Sequence, residues 1–299
     1  MATAHDNYTQ ISRNDPIAAD YIQDGGVASG VSVLRTKMGY GSDGRYQELP
    51  FPQIAAARGL YDDIEIIRQF GRNNDVGTGT AETIWDGGAT WVAPATGAEH
   101  HNIASTEAAD AAGSTGAREV TLYGLDDEME QRSEVVVMNG TNDVLSSISY
   151  RMLYRMVVTS AGSGGENAGV ITATAQASST VTSQISAGMG QALMAIYAVP
   201  RNFFGYILGF YASINKSGGQ ASTADILLFS KNMNPDYATP AKRLKHIFGL
   251  QTTGTSMIYH VFGTPISIPE MELTWIEASV TANGTDISAG FDIVLLKNA

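Results

Sequence analysis

The chain has 299 residues, of which 43% are apolar and only 16% are charged, and its formal net charge is −12. This length suits one large domain or two modest ones, and the apolar content is too high for a disordered chain. Low charge together with 32 glycines indicates a β-rich protein with many turns. The absence of cysteine excludes disulfides and thiolate zinc sites.

The negative charge is concentrated in the middle third of the chain. Residues 77–178 carry 13 acidic and 4 basic side chains, whereas residues 179–299 carry 7 of each. Because the middle third would repel a phosphate backbone, we expect no nucleic-acid binding. The N-terminus lacks the apolar core of a signal peptide, and the longest apolar stretches are too short to cross a bilayer. We therefore expect no membrane partner and synthesis in a cytoplasm.

The first 76 residues show no clean hydrophobic period. Pro16, Pro50, Pro52 and several glycines interrupt them, and one short helix is expected around Pro52–Arg58. We interpret residues 1–76 as an extended N-terminal arm or anchor, because a disordered tail would not need its scattered aromatic residues. The residues predicted to form an assembly interface come from this arm and from a later aromatic run: Tyr21, Tyr40, Tyr46, Phe51, Leu60, Tyr61, Phe70, Phe203 and Tyr206.

Short strands and turns follow from Glu82, and residues 77–178 are predicted to form an acidic β domain. Its clearest hairpin is "REVTLYGLDDEMEQRSEVVVMNG". Val120 and Leu122 line the first strand, while Val135 and Val137 alternate on the second. Asn139–Gly140 predicts a tight turn, because both residue types tolerate positive φ.

Residues 179–299 are predicted to form a C-terminal β-sandwich. Seven strand-like segments recur in this region at the spacing of an antiparallel sandwich or jelly roll. No helical pattern alternates with them, which disfavours a parallel α/β sheet. The predicted fold class is therefore all-β, with two antiparallel sandwich or jelly-roll-like domains after an extended arm. The seven segments are "QALMAIYAVP", "FFGYILGFYASIN", "ADILLFSKN", "LKHIFGL", "MIYHVFGTPISIP", "MELTWIEASV" and "SAGFDIVLLKN".

The stretch "GRNNDVGTGTAETIWDGG" resembles a phosphate-binding loop only superficially. A Walker A loop needs a lysine after its glycines, and a dinucleotide fingerprint needs a following helix; neither is present. We interpret the stretch as the junction between arm and β body. Phe70, Ile84 and Trp85 are expected to be buried there, and the glycines and Asn–Asn–Asp are expected to turn the chain.

The tetrapeptide "EHHN" at residues 99–102 is a candidate metal site. His100 and His101 are adjacent, so in a strand they face opposite sides and cannot easily share one ion. Glu99 and His101 could share a face, but the site would need a further protein ligand. Exposed polar residues at a strand end are the favoured interpretation.

The acidic hairpin tip "LDDEME" offers Asp126, Asp127 and Glu128 as weak candidates for a calcium site. Clustered carboxylates can bind calcium, but the EF-hand spacing is absent. A solvated turn is the favoured interpretation, and no metal ligand is assigned.

No catalytic residue or cofactor site is predicted. The chain lacks cysteine and a G-x-S-x-G motif, and no pair of carboxylates is marked as glycosidase-like. The aromatic run around Phe203, Tyr206, Phe210 and Tyr211 is favoured as a buried central strand over a sugar-stacking platform. The basic cluster "KRLKH" at 242–246 could bind an acidic partner surface, although the solvated face of an edge strand is favoured.

Several phrases of strand and turn resemble a family of structural proteins of tailed-bacteriophage virions. They include "FGRNNDVGTGTAETIWDGG", "STGAREVTLYGLDDEMEQRSEVVVMNG", "RMLYRMVVTSAGSGGENAGVITATA", "GQALMAIYAVP" and "DISAGFDIVLL". The resemblance covers roughly residues 65–296 and brings no catalytic residues.

This resemblance implies a non-enzymatic virion protein, assembled in the host cytoplasm. We expect a capsid decoration, cement or head-spike protein that binds the phage capsid protein through its arm and associates with copies of itself as a trimer or dimer. The alternatives are a neck, collar or tail component of the virion and, from another class, a carbohydrate-binding or carbohydrate-processing protein.

Overall fold

The computed structural model describes residues 56–59, 61, 63–95, 97–216, 219–234 and 240–298, together with the backbone of residues 39–40 and 47–48. The chain divides into two compact units, Met1–Asp62 and Asp63–Ala299. In the first unit, β1 (Gly39–Tyr40) pairs antiparallel with β2 (Gln47–Glu48). Residues 56–59 form one helical turn, and the remainder of the helix expected around Pro52–Arg58 lies outside the described residues.

The second unit is built from strands, and every ladder in it is antiparallel. This confirms the predicted all-β class. The strands of the second unit are β3 (Ile64–Val76), β4 (Glu82–Thr83), β5 (His101–Ser105), β6 (Ala117–Leu125), β7 (Gln131–Val137), β8 (Val144–Leu145), β9 (Met152–Ala161), β10 (Ile171–Ala175), β11 (Val181–Ile185), β12 (Ile196–Ala198), β13 (Phe203–Lys216), β14 (Thr223–Asn232), β15 (Arg243–Gln251), β16 (Met257–Ile268), β17 (Glu272–Val280) and β18 (Thr285–Lys297).

These strands form four sheets. Their orders are β11-β10-β5-β8, β7-β6-β9, β12-β17-β14-β15 with β4 added to β17, and β16-β13-β18-β3. The last two sheets contain all seven strands predicted for residues 179–299. Their inward side chains meet in a common core, where the rings of Phe210 on β13 and Phe248 on β15 lie 4.9 Å apart.

Residues from all parts of the second unit are joined by backbone pairing. β3 lies within the predicted arm of residues 1–76, yet it pairs with the last strand, β18, along its length. β4 pairs with β17, and an isolated bridge joins Trp85 to Met194. The structure therefore groups the chain as residues 1–62 and 63–299, whereas the sequence suggested divisions after residues 76 and 178.

The inward face of β3 carries three small or polar residues at alternate positions. The buried Gln69 side-chain amide donates hydrogen bonds to the carbonyl oxygens of Tyr154, at 2.9 Å, and Ile196, at 2.6 Å. Asn73 donates to the Glu82 carboxylate at 2.9 Å. Between them, a Cβ on Gly71 would lie 2.3 Å from the carbonyl oxygen of Ile84. β3 is thus in direct contact with the backbones of neighbouring segments.

The predicted junction is partly correct. Ile84 and Trp85 are buried as expected, whereas Phe70 is only half-buried. Gly71 and Asn73 do not turn the chain, because they lie inside the 13-residue strand β3. The turn comes later, at residues 77–81, where the Glu82 carboxylate accepts a hydrogen bond from the N–H of Gly77 at 3.0 Å.

The predicted hairpin is confirmed as β6 and β7, but the inward side of β7 differs from expectation. Val136 is buried and lies opposite Val120, while Val135 and Val137 are exposed. Three consecutive valines do not reveal which alternate set faces the core; the register with β6 decides it.

An aromatic cluster closes one side of the C-terminal sandwich, where the edge strands β15 and β16 approach each other. His246 of β15 and His260 of β16 have ring centroids 5.5 Å apart. Phe210, Phe248 and Phe262 pack around them at centroid distances between 4.5 and 6.4 Å.

We expect Gly71→Ala to destabilise the second unit by about 3 kcal/mol or more, because the new methyl group would meet backbone atoms that cannot move independently. Gly249→Ala is the matched control, since a Cβ at this strand glycine has no atom within 4 Å. Chemical denaturation of both variants measures the difference. Equal midpoints for the two variants would contradict the close approach at Gly71.

Candidate assembly interface

The sheet β16-β13-β18-β3 has one face in the core and one face turned to solvent, which we call the outer sheet face. Alternation along each strand places different residues on the two sides. On β13, Phe210 and Ala212 are buried in the core, so Tyr211 points outward. The large apolar side chains exposed on the outer sheet face are Met257 (70% exposed), Tyr259 (64%), Val261 (60%), Phe204 (39%) and Leu296 (37%).

A row of aromatic residues crosses the whole outer sheet face. The register aligns Tyr259 of β16, Tyr211 of β13, Gly290 of β18 and Phe70 of β3. Gly290 makes room for the Tyr211 ring, because a Cβ there would lie 2.4 Å from the Tyr211 hydroxyl oxygen. The row forms an apolar strip across four strands.

Charge is sparse along this strip. The exposed Arg68 and the partly buried Asp292 form an ion pair at 3.3 Å beside it. Burial raises the pKa of Tyr211, the Asp292 carboxylate adds to the rise, and Arg68 opposes it. Tyr211 is therefore a neutral phenol at physiological pH. The four residues of the row carry no formal charge, and an uncharged apolar strip is suited to association with another protein surface.

The structure brings two of the predicted interface residues onto the outer sheet face. Phe70 lies in the aromatic row, and Tyr206 lies on the same side of β13, opposite Val294. Phe203 instead packs partly buried against the core. Tyr61 is half-buried in the first unit. Tyr40 lies in β1, where only the backbone is described, and Tyr21, Tyr46, Phe51 and Leu60 lie outside the described residues.

The sequence analysis did not predict the most exposed apolar residues of the outer sheet face. Met257, Tyr259 and Val261 alternate along β16 with His260 and Ile258, so both sides of the strand look equally apolar in the sequence. An available signal was the absence of charged residues from the whole of β16.

Two of the three candidate carboxylates at the acidic hairpin tip, those of Asp126 and Asp127, bind partners within the chain. Asp126 accepts hydrogen bonds from the backbone N–H groups of Glu128 and Glu130, and from Arg132 at 2.7 Å. Asp127 pairs with Arg151. Asp126 thereby acts as the residue that closes the β6–β7 turn. Across the described ranges, no three His, Asp or Glu side chains are grouped as a metal site would require.

The interpretation of "EHHN" as exposed polar residues is wrong. His101 is fully buried and Glu99 nearly so. The Glu99 carboxylate accepts hydrogen bonds from the backbone N–H groups of Ala177, at 2.8 Å, and Ser178, at 2.9 Å, which closes the turn after β10. Burial lowers the pKa of His101 to about 4, against the opposing influence of nearby Glu99, so its ring is neutral at physiological pH.

The basic cluster at 242–246 lies at edge strand β15, and its cations pair within the chain. Lys242 contacts the buried Glu277 at 2.7 Å, while Arg243 and Lys245 approach the buried Glu272 at 3.1 and 3.6 Å. These cations neutralise buried carboxylates of β17. They are not arranged as a free patch for an acidic partner.

Asp110 is a buried carboxylate that no sequence motif marked. It accepts hydrogen bonds from the Ser105 hydroxyl at 2.6 Å and from the backbone N–H groups of Ala117, Ala168 and Gly169 at 2.7 to 2.8 Å. Burial alone would raise the pKa of Asp110, but these hydrogen bonds outweigh it and lower the pKa. The ionised carboxylate therefore joins the loop before β6 to the loop before β10.

Comparisons of the chain with protein-family models, curated proteins and solved structures gave no match. Within the described part of the chain, no helix has the length and apolarity needed to cross a membrane.

We expect Asp110→Asn to destabilise the protein by about 3 kcal/mol near neutral pH, because the new amide N–H₂ group would face the N–H of Gly169. Since the folded-state pKa of Asp110 is lowered, its contribution is present above the unfolded value of about 3.9 and is lost as the pH falls through the folded value. The gap in stability between native protein and variant should therefore narrow in acid. Denaturation at several pH values measures it.

Asp127→Asn is the matched control, because Asp127 is exposed at the hairpin tip. It should change stability by less than about 0.5 kcal/mol. If both variants lost the same stability, or if the gap for Asp110→Asn widened in acid, the structural role of Asp110 would be refuted.

Proposed function

We propose that this protein is a non-enzymatic structural component of a tailed-bacteriophage virion, serving as a capsid decoration, cement or head-spike protein. Residues 1–62 bind the shell, and the β body of residues 63–298 associates with further copies. The sequence resemblance supplies the virion context. The outer sheet face supplies the physical means of assembly.

The exposed apolar strip on the outer sheet face carries this proposal. Exposed apolar residues are common one at a time, but a contiguous strip on a rigid sheet is typical of a protein contact surface. Met257, Tyr259 and Val261 are each at least 60% exposed. Leaving them in water is unfavourable, and contact with another copy would bury them.

Many copies bound to one shell can stabilise it even if each contact between two molecules is weak. A standard protein interface buries about 1,600 Å², and many copies bound to one particle add avidity without any single strong contact. The acidic character of residues 77–178 suits a surface that remains in solvent, where like charge keeps particles apart.

A neck, collar or tail component of the same virion is the second candidate. It would use the same apolar strip, but in a closed ring of about six or twelve copies. Copy number separates the two candidates. A carbohydrate-binding role, through exposed aromatic residues such as Tyr259, would instead require glycan binding by the isolated protein.

Quantitative mass spectrometry of purified virions tests the proposal. We expect the protein at hundreds of copies per particle, as the many equivalent sites of a shell allow. A count near six or twelve would favour the neck or tail assignment. Absence of the protein from washed virions, or glycan binding without particle binding, would overturn the structural role.

Deletion of residues 1–62 tests the anchor. Because β3 begins at Ile64, the truncated chain keeps every strand of the second unit, and we expect a folded β body that no longer binds shells. Cosedimentation with shells lacking the native protein measures binding, with circular dichroism as the folding control. A folded truncated chain that still decorates shells would show that the anchor lies elsewhere.

A further inference from the structure

The long edge strands of the second unit differ in how they are protected. Unpaired backbone groups at a sheet edge invite pairing with another chain, and proteins normally protect such edges with charged residues or with covering segments. Among the described edge strands of seven or more residues, four contain charged side chains, namely β3, β7, β9 and β15. β16 contains none.

Three of these charged edge strands, β3, β7 and β9, are also engaged by neighbouring segments. On β7, Glu134 accepts hydrogen bonds from the backbone of Ser147 and Ile148. On β9, Val158 donates to the carbonyl of Gly190. On β3, Arg155 donates to the carbonyl of Arg68. The only ladder of β16 in the described structure is the one with β13.

The direction of the β16 backbone groups follows from one hydrogen bond. The N–H of Ile214 donates to the carbonyl of Ser256 at 2.9 Å, and these two residues continue the ladder in which Ser213 lies opposite Met257. Pairs in an antiparallel ladder alternate between hydrogen-bonded and non-hydrogen-bonded types. The pair containing Met257 is therefore of the non-hydrogen-bonded type.

The same alternation applies two and four residues further along β16. Met257, Tyr259 and Val261 consequently all point their N–H and C=O groups away from β13, toward the free edge. These three residues also carry the exposed side chains. After Val261 the register breaks, with four residues of β16 unmatched before Ile266, and Pro265 has no N–H to donate. The free pairing stretch is therefore Met257–Val261.

We propose that a second copy of this chain pairs antiparallel with Met257–Val261, about a two-fold axis at Tyr259. Tyr259 then lies opposite its own copy, and Met257 lies opposite Val261 of the other molecule. Each residue of these pairs exchanges backbone hydrogen bonds across the axis. Two four-stranded sheets become one eight-stranded sheet, and six apolar side chains form a cluster at its centre.

Charge does not prevent a second copy from binding at this edge. The chain carries a net charge of −12, so two copies repel each other over most approaches. β16 has no charged side chain, and it therefore allows close contact without placing like charges opposite each other. The three residues with outward backbone groups, Met257, Tyr259 and Val261, are spaced evenly about Tyr259, so the same stretch of a second copy is complementary to it in the antiparallel direction.

The surface area that the two copies would bury sets the expected affinity of the dimer. A tyrosine side chain can bury about 150–250 Å², so one strand edge with three apolar side chains per copy stays below the standard interface of about 1,600 Å². We expect a concentration-dependent dimer in solution. Repetition on a particle would strengthen this contact.

Sedimentation velocity of the full chain and of Tyr259→Lys tests the pairing. We expect the native chain to dimerise, and the variant to raise the dimer Kd at least about tenfold, because two ammonium groups would face each other at the axis. Tyr259→Phe should dimerise like the native chain. Val135→Lys is the matched control, since Val135 is an equally exposed apolar residue on the edge strand β7, and it should leave dimerisation unchanged.

Cross-linking provides a second measurement. The chain has no cysteine, so Tyr259→Cys introduces a single thiol that should lie about 5.5 Å, Cα to Cα, from its copy. A short bismaleimide should link this variant into a covalent dimer, whereas Val135→Cys should remain uncoupled. A native chain that stays monomeric at high concentration would overturn the proposal. So would a Tyr259→Lys variant that dimerises normally, or coupling through position 135 in place of 259.

This inference rests on the self-association included in the proposed function. The two can fail separately. If the chain is monomeric in solution but abundant in virions, the β16 interface is wrong and the virion role stands. If the chain dimerises through β16 but is absent from virions, the virion role is wrong and the interface stands.

Discussion

The structure depends on how closely β3 approaches its neighbours. At Gly71 the strand lies so near the backbones of Ile84 and Ala195 that a single methyl group has no room. Gln69 and Asn73, on either side, donate hydrogen bonds to the carbonyl oxygens of Tyr154 and Ile196 and to the Glu82 carboxylate. Because buried polar groups must be hydrogen-bonded, these contacts fix where the N-terminal and C-terminal sheets of the second unit meet.

The two faces of the sheet β16-β13-β18-β3 make different kinds of contact. The inward face forms contacts that define the body, and the outer sheet face presents an aromatic row from Tyr259 to Phe70. Gly290 leaves space for the Tyr211 ring within that row. The proposed dimer uses the end of the row, where backbone groups and apolar side chains point to solvent together.

Several motifs that suggest ligand binding in the sequence are satisfied inside the fold. Glu99 closes a turn, Asp126 closes a hairpin, and Glu272 is paired with Arg243 and Lys245. A carboxylate that already accepts such hydrogen bonds has little capacity left for an external ion. These carboxylates therefore hold loops and strands of the chain together. The sequence does not show this role, because the partners are far apart in the chain and meet only in the folded protein.

The sequence by itself determined the all-β class, the seven C-terminal strands and the β6–β7 hairpin, because alternation and turn residues are local signals. It identified Phe70 and Tyr206 as candidates for the interface, but not Met257, Tyr259 and Val261. Only the tertiary structure decided which alternate residues of β7 and β16 face solvent, because a strand apolar on both sides carries no signal of its direction. It also decided that Gly71 is a point of close packing within a strand. That role depends on Ile84 and Ala195, whose approach is set by the fold and not by the residues beside Gly71.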